Sequence, residues 1–185
     1  MNNLQRFLII ATSILLGAAA SSAGNSRSAL WIEVKSDDQG MTRIAVTREI
    51  AVAMVEADKD GSLHFHNHGH SDLITKQMIR DVLDGTRDIA RAEDPDNGSE
   101  VTLYLKDLDL PRHAGGKGSI VMETYKNGER TFRLRLGDVE IETGDKGDND
   151  IAFNWKRLLP FLSKTGGAVY INNEREDSEV WVFVD

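Results

Sequence analysis

Residues 29–46, ALWIEVKSDDQGMTRIAV, align without a gap on residues 119–136, SIVMETYKNGERTFRLRL. Leu30, Ile32, Ile44 and Val46 fall on Ile120, Met122, Leu134 and Leu136, while Glu33 and Arg43 fall on Glu123 and Arg133. Each stretch alternates apolar and polar residues, breaks at a polar turn containing glycine, and alternates again. Period two is the mark of a strand with one buried face. Asn127-Gly128 supplies the positive φ angles that a tight hairpin turn needs. The ends of the two halves also match, SEVTLYLKD (99–107) against SEVWVFVD (178–185).

Between hairpin and terminal strand, each half carries one helical pattern. In the first, Ser71 caps a helix with Ile74, Met78, Ile79, Val82 and Leu83 at helical spacing, and Gly85 stops it. In the second, Asn154 caps Trp155, Leu158, Leu159 and Leu162 ahead of Gly166-Gly167, and Pro160 is expected to kink or shorten the helix. Short strands at 86–92 and 168–172 lead into the final ones. The expected fold class is therefore α+β, with a duplicated ββαββ unit, each unit an antiparallel sheet with one helix packed on a face. The units span 28–107 and 119–185. The segment 108–118, with one proline and three glycines, links them. The two sheets either fuse into one layer or remain two small domains.

The N-terminal segment reads as a signal peptide over residues 1–20. Arg6 precedes the apolar run FLIIATSILLGAAA, small residues follow, and cleavage is expected after Ala20 or Ala23. A run of 14 residues is shorter than the roughly 20 that span a bilayer. No second apolar stretch of spanning length follows, so the expectation is a soluble periplasmic or secreted protein with no integral membrane span. The chain has no cysteine, so neither a disulfide nor a lipid-modified cysteine is available. The formal charge is −8, and −9 once Arg6 leaves with residues 1–20. Nucleic acid and anionic lipid both demand a basic footprint, so neither is an expected partner.

The histidines are concentrated in one place. Residues 63–72, LHFHNHGHSD, hold four of the chain's five. Alternate residues of an extended chain point to the same side about 6.5–7 Å apart, so His64 with His66, or His66 with His68, can close on one ion. Asp72 or a third histidine, His70 included, would complete a tetrahedral site for Zn, Ni or Cu. Clustered imidazoles would also gain charge on acidification. Just upstream, 56–67 overlays on a calcium loop through Asp58, Asp60, Gly61 and Ser62. It lacks the bidentate Glu at its last position, where Asn67 stands, so a solvated turn is expected there. His113, alone in the linker, is expected to be solvated.

The remaining motifs argue against a marked active site. Neither a G-x-S-x-G elbow nor S-x-x-K nor H-E-x-x-H occurs. Arg133 and Arg135 share a strand face that alternation makes a solvated outer one. The terminal strands carry apolar residues on both faces, with Tyr104, Trp181 and Phe183 opposite the valines and leucines. Such a strand is buried on both sides or presents one face to a partner. The expected function is a non-enzymatic binding or interaction module of a bacterial envelope, through Tyr104, Trp181 and Phe183, for a protein partner or a second copy. Transition-metal binding by the histidine loop is the alternative, and an unmarked enzyme comes third.

Overall fold

The computed structural model describes residues 25–36, 40–57, 74–94, 98–115, 118–136 and 155–185. Eight strands and three helices follow in the order β1 (Ser26–Ser36), β2 (Gly40–Thr47), α1 (Arg48–Ala57), α2 (Lys76–Leu83), β3 (Ile89–Asp94), β4 (Ser99–Asp109), β5 (Ile120–Lys126), β6 (Glu129–Leu136), α3 (Trp155–Thr165), β7 (Ala168–Asn173) and β8 (Ser178–Val184). The strands form one antiparallel sheet ordered β3-β4-β1-β2-β7-β8-β5-β6. The two halves therefore fuse into a continuous layer through pairing of β2 with β7.

Both halves pair their strands in the same register. Leu30 opposes Val46 where Ile120 opposes Leu136, and Leu30 opposes Leu105 where Ile120 opposes Val184. The β5–β6 turn has the expected chemistry, with Asn127 at φ 52° and Gly128 at φ 75°. A register shift at Thr124/Tyr125 inserts one extra residue beside this turn, and the rest of the ladder is regular.

Alternation divides the sheet into two faces. Leu30, Ile32, Ile44, Val46, Leu103, Val169, Val182 and Val184 project to one side and are buried with Ile50, Val55, Ile79, Val82, Leu83 and Leu162 of the helices. α1 lies between α2 and α3 on this side. Arg48 Nη2 donates to the carbonyl of Leu83 at 2.8 Å, tying the start of α1 to the end of α2. A smaller cluster on the other side joins Ala29, Ala45, Val121, Ala168 and Phe183 to Leu108, Leu110 and Ala114. Among the described residues no helix is long and apolar enough to cross a membrane.

Four details differ from the sequence reading. The first half carries two helices, not one. α1 follows β2 without a break because Ile50, Ala51 and Val55 recur at helical spacing on the buried side while Glu49 and Glu56 stay outside. The β-branched IAVT just before it hides the change of period. α2 is capped by Thr75, whose Oγ1 accepts from Met78 N at 3.2 Å, in place of the expected Ser71. Its C-terminal turn, closed by Asp84 N on Arg80 O and by Gly85 at φ 71°, delays β3 from residue 86 to Ile89. α3 runs past Pro160 to Thr165, so the proline does not shorten it.

The junction between α3 and β7 admits only glycine at 167. A Cβ there would sit 2.3 Å from Thr47 Oγ1 and 2.6 Å from Ile50 Cδ1, two groups that are themselves fully buried. Thr47 Oγ1 in turn accepts from Ala168 N at 3.2 Å. Gly167→Ala must push β7 away from β2 and is expected to cost about 2–3 kcal/mol in a urea or thermal unfolding experiment. Gly128→Ala, with open space around it, should cost only the strain of its positive φ, roughly 1 kcal/mol.

Candidate binding surface

The face of the sheet away from the helices carries one transverse row that crosses every strand. Ile89, Tyr104, Trp31, Ala45, Tyr170, Trp181, Glu123 and Arg133 oppose one another in successive strand pairs. Two of the chain's three tryptophans and two of its three tyrosines fall in this row. The Trp31 and Tyr104 rings are parallel to within 4°, their centroids 6.3 Å apart. The Trp31 and Tyr170 rings meet edge to face at 6.0 Å across β2. They can do so because the residue between them is Ala45, small and fully buried. Tyr170 and Trp181 close the row at 4.4 Å.

Polar groups orient these rings. Trp31 Nε1 donates to Lys106 O at 3.2 Å, and Lys106 Nζ lies 5.7 Å from the ring centre. Tyr104 OH donates to Glu33 Oε1 at 3.0 Å, and Arg43 Nε donates to the same oxygen at 3.0 Å. Arg43 also pairs with Glu174. Asn172, beside Arg43 in register, keeps a buried Oδ1 without a hydrogen-bond partner among the described residues.

The far end of the row is an ionic cluster around Glu123, whose side chain is 0% exposed. It accepts from Arg130 Nη1 at 3.0 Å and from Tyr125 OH at 2.8 Å, with Arg133 Nε at 3.4 Å and His113 Nε2 at 3.8 Å. Arg133 and Arg135 also hold Asp185. A buried carboxylate needs this much compensation, since desolvating an unpaired charge costs several kcal/mol.

Tyr104 and Trp181, singled out from sequence, are half-buried members of the row. Phe183 lies on the same face but is fully covered, its ring 5.3 Å from that of His113. The cover is the segment after β4. Leu110 and Ala114 pack there, and Asn25 Nδ2 donates to the carbonyls of Pro111 and Ala114 at 3.1 and 2.7 Å. Trp31 and Tyr170 complete the row but escape a reading of the terminal strands alone. The signal for Trp31 was available, because it shares its β1 face with Glu33, the partner position of Glu123 in the aligned hairpins. His64, His66, His68, His70 and Asp72 lie outside the described residues, as does 58–67 of the calcium-type loop. Among the described residues, no three His, Asp or Glu side chains are grouped to hold a metal ion.

Burial and neighbouring carboxylates hold the phenols in their neutral form. Burial, then the bond to Glu33, pushes Tyr104 up to about 12. Burial, then Glu179, does the same for Tyr170, also to about 12, and Tyr125 is raised by burial and by Glu123. Each raised phenol favours the native state below its unfolded pKa, about 10. That contribution is lost as pH climbs from about 10 to about 12. A spectroscopic titration of phenolate absorbance should therefore show all three tyrosines ionising above 10 in the native protein and at about 10 in denaturant. Glu33→Gln should lower the Tyr104 midpoint. A native tyrosine titrating at the ordinary value would contradict the geometry.

Comparison of the chain with protein-family models, with curated proteins and with solved structures finds no match in any of the three.

Proposed function

We propose that the protein is a non-enzymatic binding module of the bacterial envelope whose ligand lies along the face of the sheet opposite α1, α2 and α3. The observation that carries this reading is the aromatic row Tyr104, Trp31, Tyr170 and Trp181. It crosses five adjacent strands, a span of about 19 Å at the usual inter-strand spacing. Rigid aromatic rings offer large contact area at small entropic cost, and the hydrogen-bonded Glu33, Arg43 and Lys106 beside them give polar definition. The ligand that fits is extended, with flat apolar surfaces and hydrogen-bonding groups between them. Phe183 serves the surface from below, as the floor on which residues 110–114 rest. The signal-peptide pattern of residues 1–20 supports export to the periplasm or beyond.

The equal strand order and register of the two halves support their origin as a duplicated unit, the first being the longer between its hairpin and the helix that precedes its last two strands. On that reading each copy supplies two of the four rings, Tyr104 and Trp31 from β4 and β1 and Tyr170 and Trp181 from β7 and β8, and the row exists only because the copies are joined.

The test is tryptophan fluorescence of the full chain titrated with fractionated envelope polymers, compared with Trp31→Ala and Trp181→Ala. A ligand of this face should shift the emission and lose at least about tenfold in affinity in each variant, as buried aromatic anchors do. Thermal melts would verify that both variants remain folded. Binding that is unchanged in both would place the ligand elsewhere and refute the proposal.

A further inference from the structure

Among the described residues, β3 and β6 are the strands paired on one side only, and the exposed large apolar side chains lie there. Ile89 on β3 is 50% exposed, and Phe132 and Leu134 on β6 are 49% and 41% exposed. Surface apolar residues gathered on unpaired strand edges mark a pairing surface.

The internal join shows what such an edge pairs with. Within each half the strand order is the same, β3-β4-β1-β2 and β7-β8-β5-β6, and the halves meet where β2 pairs with β7. β6 stands in its half where β2 stands in the first, and β3 stands where β7 stands in the second. The β2–β7 ladder pairs Thr42–Val46 with Asn173–Val169. Its counterparts are 132–136 of β6, where the ladder is regular again beyond the register shift, and 90–94 of β3.

We infer that the protein self-associates head to tail, β6 of one copy pairing with β3 of the next in the register of the internal join. The inference rests on the matching order of the two halves and is independent of what binds the aromatic face. In this register Leu134 faces Ala92 on the helix side, and Arg133 faces Glu93 on the other. The helices of successive copies fall on the same side of one growing sheet. β6 is the basic edge, with Arg130, Arg133 and Arg135, while β3 ends in Glu93 and Asp94, so an edge favours its opposite over its own kind. Pairing β6 with β6 would bring arginines together. Two contacts oppose association: Phe132 faces Asp94, and Arg135 faces Arg91. Asp185 already pairs with Arg135, which softens the second without removing it. The association is accordingly weak and open-ended, as a heterologous contact that does not close must be.

Sedimentation equilibrium of the full chain over a concentration series tests this. The weight-average mass should climb with concentration without levelling at a dimer. Leu134→Lys on one edge and Glu93→Lys on the other should each weaken association about tenfold or more. Arg91→Glu should strengthen it by relieving the like-charge pair. The two weakening variants lie on opposite edges at exposed positions, so either one carries the test if the other folds poorly by circular dichroism. A monomer at every concentration, a closed dimer, or association that survives both lysine substitutions would overturn the proposal.

Discussion

The pairing of β2 with β7 is the interaction on which the rest of this structure depends. It joins Thr42–Val46 to Val169–Asn173 and turns two four-stranded sheets into one. Its strength lies on the helix side, where Ile44, Val46 and Val169 are buried against Ile50 and Leu162. Each such side chain contributes about 1.5–3 kcal/mol. The Arg43–Glu174 pair across the same join is partly exposed and adds at most about 1 kcal/mol. Burial decides, and because a slip of one residue would turn Ile44 and Val46 out of the core it also sets the register. Thr47 and Gly167 show how closely the two halves approach, since no side chain fits between β7 and the start of α1.

The surface chemistry follows from the same join. Trp31 and Tyr170 come from different halves and meet above Ala45, a residue small enough to let them touch. Neither half alone would present more than two of the four rings. A larger residue at 45 would separate them, so one methyl group at the centre of the sheet governs whether the face reads as one aromatic strip or two. At the far end, Glu123 takes the place in the row that a ring would otherwise hold. Its arginines, tyrosine and histidine end the strip in charge.

Much of this was legible in the sequence because strand patterns are local. The hairpins, the Asn127-Gly128 turn and the faces of the terminal strands all follow from period two, and the α+β class follows from adding α2 and α3. What escaped depends on long-range contact. α1 is hard to read because the apolar residues of IAVT and IAVAMV stand on both sides of Arg48-Glu49 with no glycine or proline to mark the change of period. Thr75 caps α2 where Ser71 was expected, because either hydroxyl suits the role and sequence pattern alone does not choose between them. Phe183 looked like a surface aromatic because nothing in its own strand announces that Leu110 and Ala114 return to cover it. The aromatic row could not be read at all without the strand order, since its four members lie in four strands far apart in the chain.

Amide hydrogen exchange across β2 and β7 tests the central claim most directly. If one sheet joins the two halves, the amides of 44–46 and 169–171 that point into the join should belong to the slowest class, exchanging only with global unfolding. Both halves should then share one unfolding free energy. Fast exchange along β2 and β7, with the two halves opening at different free energies, would mean that they are separate units and would contradict the continuous sheet.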